Sequence, residues 1–435
     1  MSLFTEALTV AAHANLSVFL ICAVGALAVY LKFLNGEALK RVAGLMIRLL
    51  YPMLTFSMFD AYSAERLARW SPALVVGACH LLLGFALGQI FARLLRLQPQ
   101  ERICLVLTTT FGNCGALPFI LSLVVVQRWR RVADTPGALE SAYGIIALYA
   151  SVWILMMFTA GAKYIQYATS SLEAPPAADA KGKAPDPAPT LRARVLRRIK
   201  SVEPTVAGTV LGIIIGLIPP LKAILGAGGA LGFIGGTARV LGDAGITLST
   251  LILGASLQLA AQARLEGRRL RRASLRSFND VGVVAEPSTA VADEESAVVD
   301  ASTTRNGAAA HDAPPAAAAP PPSRLRRWCG ADFRLTAAAI VLRLIVLPAV
   351  AMPLQWLATR GGVLPNDPVL QIVMYMQAGV PAAQTTVAML AAAGKTKMAG
   401  ELSTLYLPQY LVSVFTMAAI IVIAINVIGE EPVPE

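Results

Sequence analysis

Two short stretches concentrate the groups that could hold a charged guest. Gly112-Asn113-Cys114-Gly115-Ala116-Leu117-Pro118 sets an amide between glycines ahead of a proline, and Gly379-Val380-Pro381-Ala382-Ala383-Gln384 again combines a glycine, a proline and an amide. Each sits inside a long apolar run, TTTFGNCGALPFILSLVVV (108–126) and YMQAGVPAAQTTVAML (375–390). Proline lacks an amide hydrogen and clashes with the preceding turn, so a helix must break or kink there. Within a bilayer, such breaks are tolerated where the freed backbone is buried in protein or lines a wet cavity. A matched pair of interruptions in two halves of a chain points to a transporter's binding site, whereas a single one can be a plain kink. As first-turn residues of the second half-helices, Pro118 and Pro381 would lose nothing by their missing N–H. Those half-helices would then aim two electropositive ends at one place near the midplane, a place suited to a carboxylate. Gly112 and the amides of Asn113 and Gln384 are therefore candidate ligand contacts, with hydroxyls of Thr108–Thr110 and Thr385–Thr386 as further donors. Threonines in membrane helices also bond their own backbone or a neighbouring helix.

Arg343 lies about eleven residues into an apolar run, on the order of 16 Å along a helix axis. A cation at that depth is expensive and by default functional. It could attract a substrate carboxylate, cap carbonyls of a broken helix, or snorkel to the interface. His80 could titrate or serve as a packing hydrogen bonder. Asp60 and Asp243 form no evident sodium cage, so neither a metal site nor a cofactor is expected, and uniport or potential-driven movement of an organic anion is the simplest mechanism.

These residues need membrane-spanning elements to position them. The chain has 435 residues, 56% of them hydrophobic and 14% charged, with mean hydropathy +0.62, the profile of an all-α polytopic membrane protein. Apolar runs at 10–34, 38–60, 71–95, 101–127, 139–168, 201–225, 236–260, 332–358, 368–393 and 400–428 predict ten spans. Segments 169–200 and 261–331 are Pro-, Ala- and charge-rich and are expected to be disordered linkers. The net charge of +11 resides in connections between apolar runs, without an aromatic-basic face, which argues against nucleic acid. It bears instead on orientation. Alternate connections carry 27 and 8 Lys plus Arg; without the two long segments the ratio is 8 to 8, so LRARVLRRIK and RLEGRRLRRASLR decide. The positive-inside rule then puts the long segments in the cytosol and both termini on the lumenal or exterior side. Cys22, Cys79, Cys104, Cys114 and Cys329 form no CxxC pair and read as small hydrophobes. Residues 1–9 hold Glu6 and no basic region, so the first span is expected to act as its own targeting signal.

Ten spans divide into five and five, which forces the second half to enter the membrane inverted. Faint echoes agree with this: MLTFS (53–57) with GITLS (245–249), pairing Thr55 with Thr247; CHLLLG around His80 with LRLIVLP around Arg343; and LYASVWIL (148–155) with LYLPQYLV (405–412). An inverted repeat is the favoured reading, and it makes Thr55 and Thr247 further candidate contacts.

The runs PTVAGTVLGIIIGLIPPLKAIL, LGDAGITLSTLILGASL, VLRLIVLPAV and GVPAAQTTVAML resemble the PIN-LIKES branch of the auxin efflux carrier family. The resemblance covers nearly all ten spans and omits the two long segments. The family's GNxGNLP motif reads GNCGALP here, with Ala116 in place of the second amide. The resemblance implies a ten-helix carrier whose fourth and ninth spans cross at their prolines. Spans 1, 2, 6 and 7 would form a scaffold, and spans 3–5 and 8–10 a unit that moves as an elevator. It also implies an auxin-like indole carboxylate as substrate and residence in the endoplasmic reticulum. Other mono- or dicarboxylates remain alternatives. A homodimer through the scaffold helices is a candidate assembly, and the bilayer is the other expected partner.

An enzymatic role is not expected. An aspartyl intramembrane protease needs GxGD, where residues 240–243 read VLGD; a serine type needs GxSG, where residues 254–257 read GASL. A non-transporting receptor is the other rival. The sequence Arg271-Arg272-Ala273-Ser274 resembles a basophilic kinase target, and phosphate on Ser274 would weaken attraction to anionic lipid.

Overall fold

The structure is a computed structural model that describes residues 3–129, 137–170, 203–281 and 333–429. The described chain is helical throughout, with one isolated antiparallel bridge, Gly112 to Ala382. Among the described residues, seven helices are long and apolar enough to cross a membrane, and a bent pair raises the number to eight. Among them, α1 (Leu3–Tyr30) packs on the C-terminal helix, while α2 (Gly36–Ala61) opens on the side chain of Asn35, which accepts from the Ala38 amide at 2.8 Å. Next comes α3 (Ala64–Leu94), capped by Ser63. The span expected at 101–127 is split into α4 (Pro99–Thr110) and α5 (Ala116–Arg128), and α6 (Ala138–Ser170) follows.

The run expected at 201–225 is not straight. It divides into α7 (Pro204–Leu217) and α8 (Pro219–Leu225), bent by 109°, because Pro219 and Pro220 cannot donate to the preceding turn and Ile218 before them is held out of the α region. Helix α9 (Gly232–Val281) runs about twenty residues beyond the expected end at 260. Its added part, rich in Arg, Leu and Ala, consists largely of good helix formers, so propensity prevails over the linker composition expected there. The compact body comprises Met1–Ala261 and Cys329–Glu435, and of a second unit, Gln262–Trp328, the structure describes Gln262–Val281. Thr169 and Ser170, expected to open the first linker, end α6 instead; the expectations for 171–200 and for the rest of 261–331 lie outside the described residues. So does the side chain of Ser274, although its backbone belongs to α9.

The last part holds α10 (Phe333–Arg360), the short pair α11 (Pro368–Gly379) and α12 (Thr385–Ala392), and α13 (Thr396–Gly429). Helices α2, α6 and α10 each contain one π turn, at Met46–Leu50, Met157–Gly161 and Leu342–Val346; such widened turns recur at functional sites. Large apolar side chains such as Leu20, Val75, Leu411 and Phe415 lie exposed on the outside of the body, as expected for a surface in contact with acyl chains rather than water.

Candidate functional site

The two interruptions meet. Between α4 and α5, residues 111–115 are non-helical, as are residues 380–383 between α11 and α12. They pair as a two-rung bridge: the Asn113 amide donates to the Pro381 carbonyl at 2.7 Å and the Ala383 amide to the Phe111 carbonyl at 2.8 Å. Backbone groups released by the breaks thus satisfy each other, which is the requirement for non-helical chain at membrane depth. Pro118 stands in the first turn of α5, as expected. Pro381 does not open a helix. It lies in the extended bridge four residues before α12, where its fixed φ suits extended chain and its carbonyl serves as an acceptor.

Arg343 resolves the question its position poses. Its side chain is 2% exposed. Nε donates to the Val380 carbonyl at 2.8 Å and Nη1 to the Thr109 carbonyl at 3.0 Å. One guanidinium therefore caps the C-terminal ends of both first half-helices, α4 and α11, where the macrodipoles leave partial negative charge. Charge-assisted bonds of this kind contribute roughly 1.5–3 kcal/mol each. No carboxylate pairs with it among the described residues, and it does not line the cavity described next. Gly112 explains itself by the same contact: a Cβ there would sit 1.7 Å from Arg343 Nη2. Its role is to admit the guanidinium.

The opposite side of the crossing is a cavity of about 160 Å³. The N-terminal approaches to both second half-helices line it, with Asn113, Cys114 and Gly115 ahead of α5 and Ala383, Gln384 and Thr385 at the start of α12. Carbonyl ends thus face Arg343, and amide ends face the cavity. Gln384 is 7% exposed. Its Oε1 accepts from Thr250 Oγ1 at 2.6 Å, and its Nε2 has no hydrogen-bond partner. Trp153, also in the wall, has a buried Nε1–H without a partner. Both orphaned atoms are N–H donors that can be satisfied only by an acceptor. Tyr51 and Phe119 complete an aromatic wall, and Tyr51 OH bonds Thr385 Oγ1 at 2.7 Å. No Asp, Glu, Lys or Arg is among the described lining residues.

Several expected contacts fall elsewhere. Thr55 Oγ1 lies 3.1 Å from the Pro52 carbonyl and 3.2 Å from that of Thr205, so it joins α2 to α7 away from the cavity. Thr247 is exposed, pointing away from the cavity; Ile246, Ser249 and Thr250, spaced at i, i+3 and i+4, form the inward row of α9, as helical periodicity requires. Thr108, Thr109 and Thr110 return their hydroxyls to the carbonyls of Cys104, Leu105 and Val106. His80 is buried between Tyr149 and Gln355, at 3.2 and 2.5 Å. Asp60 pairs with Arg239 at 2.7 Å, and Asp243 is exposed on α9. Cys79, expected inside, is exposed, and Cys329 lies outside the described residues.

The sequence reading missed Gln409. Its Oε1 accepts from the Ala382 amide at 2.8 Å, and its Nε2 donates to the Ala339 carbonyl at 3.1 Å, pinning the bridge to α10 and α13. Tyr410 OH donates to the Ala382 carbonyl at 3.0 Å and accepts from Asn113 Nδ2 at 3.0 Å. The available signal was a fully buried amide in LYLPQYLV, a polar residue in mid-span that needs a partner.

Broken helices that cross inside an apolar helical body define an integral membrane protein of the transporter class. The family described as membrane transport protein matches residues 10–268. The chain belongs to that family, the auxin efflux carrier family. No curated protein gives a match.

Proposed function

We propose that this transporter carries a small organic anion bound at the crossing, with its carboxylate among Asn113, Gln384, the Trp153 indole N–H and the first turns of α5 and α12. The observation that carries this reading is a cavity with no charged side chain among its described lining residues that receives two helix N-termini together with the amide side chains of Asn113 and Gln384. Amide donors and helix N-termini gathered at one place favour a guest that brings acceptors. A volume of about 160 Å³ is below the roughly 300–1,000 Å³ of drug-sized sites, and the Tyr51, Phe119 and Trp153 wall favours an aromatic body such as an indole over a dicarboxylate.

In this reading each broken pair counts as one span, giving ten in two inverted halves. Arg343, Gly112 and the two prolines build the crossing, and the amides bind. The scaffold is α1, α2 and α7–α9; the moving unit is α3–α6 and α10–α13. The Tyr51–Thr385 and Thr250–Gln384 bonds join the two groups, and an elevator step would exchange them for others. The carrier works in an intracellular membrane, the endoplasmic reticulum, with long segments in the cytosol and both termini across it, and the scaffold offers the surface for a homodimer. Uptake of a labelled indole carboxylate into proteoliposomes tests the reading. Saturable flux, lost in Gln384→Leu, supports it; binding without flux would make the protein a receptor.

A further inference from the structure

A second concave surface shares no lining residue with the anion cavity. Between α10 and α13 runs a groove of about 630 Å³ whose walls include Leu344, Pro348, Met352, Ala419, Ile420 and Ile423. Its polar side chains are few, Tyr375, Thr416 and Arg360, with Arg360 at one extremity. Helix α10 has 28 residues, about 42 Å at 1.5 Å per residue, against roughly 30 Å of hydrocarbon. Its last residue, Arg360, therefore reaches the headgroup layer. There its guanidinium lies 4.4 Å from the centre of the Trp356 ring, a cation–π contact that holds the charge at the mouth of the groove. Leu354 and Leu357 beside it are exposed, so the mouth opens onto lipid.

We infer that this groove is a phospholipid site, with one acyl chain along α10 and α13 and the headgroup phosphate on Arg360. Charge and shape select the occupant. The apolar walls take a hydrocarbon chain, the guanidinium fork matches a phosphate, and a Trp beside a cation is the pairing found at membrane interfaces. The floor of the groove gives the lipid a bearing on transport. Ile420 packs so closely on Gly379 that a Cβ there would come within 2.1 Å of Ile420 Cδ1. Gly379 is the last residue of α11 before the bridge, and the groove residue Leu344 follows Arg343 directly. What fills the groove therefore backs the framework that holds the crossing.

Native mass spectrometry and lipid extraction of the full chain, purified in mild detergent, test this independently of any transport assay. The wild type is expected to retain about one phospholipid per chain. Ala419→Trp, which fills the groove, should remove it. Arg360→Gln, at an exposed position, should lower retention at least fivefold, and Arg360→Lys, which keeps the charge, should restore most of it, with helical content and monodispersity measured alongside. A wild type that retains no stoichiometric phospholipid, an Arg360→Gln variant that retains as much as wild type, or Ala419→Cys chains that cross-link to one another through this face would each overturn the assignment.

Discussion

Replacing Arg343 by lysine isolates what the guanidinium does. The change keeps the buried charge and hence most of its desolvation cost, but not the fork. Arg343 reaches two carbonyls on two different half-helices, Val380 at 2.8 Å and Thr109 at 3.0 Å. A single ammonium on a shorter stem can serve one of them. One charge-assisted bond lost is worth roughly 1.5–3 kcal/mol, and the carbonyl left behind is buried without a donor. The unfolding equilibrium should therefore shift by about ten- to a hundredfold, read as a lower thermal midpoint by tryptophan fluorescence in detergent with no ligand present. Anion binding should weaken as well, because the bridge that positions both N-termini loosens. An Arg343→Lys protein with unaltered apo stability and reduced affinity would refute the reasoning, since that pattern belongs to an arginine that contacts the guest directly.

Further predictions follow from neighbouring contacts. Gly112→Ala should destabilise by at least the 1–3 kcal/mol typical of overpacking, and adding Arg343→Ala to it should cost less than the two single effects together, because both changes act on one contact; thermal midpoints of the four proteins give the coupling. Gln384→Leu and Trp153→Phe each remove a buried N–H from a side chain of the cavity wall and should weaken anion binding roughly tenfold or more; Trp153→Phe should leave apo stability unchanged or raised, while Gln384→Leu, which also loses the Thr250 bond, should lower it by about 1 kcal/mol. Gln409→Leu orphans the Ala382 amide and should destabilise the apo protein by about 1–3 kcal/mol, the cost of one unsatisfied buried group, as measured by thermal unfolding.

The parts legible in the sequence were those fixed by local chemistry. Proline cannot continue a helix, so the breaks at GNCGALP and GVPAAQ showed in the chain, and Asn113 and Gln384 could be placed at them before any coordinates. Long apolar runs marked the helices. What required the fold was tertiary. Arg343 has three plausible roles at its depth, and only the position of the Thr109 and Val380 carbonyls selects capping. Thr55 and Thr247 were paired through a repeat pattern that says nothing about which face of a helix turns inward, and Thr250, three residues on, occupies the position beside Gln384. The bend at Ile218 was legible in Pro219-Pro220 but hidden by the length of the apolar run around it. Gln409 was visible as a polar residue in an apolar span, yet its partners come from Ala339 and Ala382, which no local rule connects.

If the crossing sorts charge, with carbonyl ends satisfied by Arg343 and amide ends left for an anion, an acid and its neutral amide must bind differently. Calorimetric titration of the purified protein with an indole carboxylate and with its carboxamide, the same ring and nearly the same shape, measures that difference. The carboxylate should bind at least tenfold more tightly, and Gln384→Leu should erase most of the gap. Equal affinities for acid and amide would contradict that sorting.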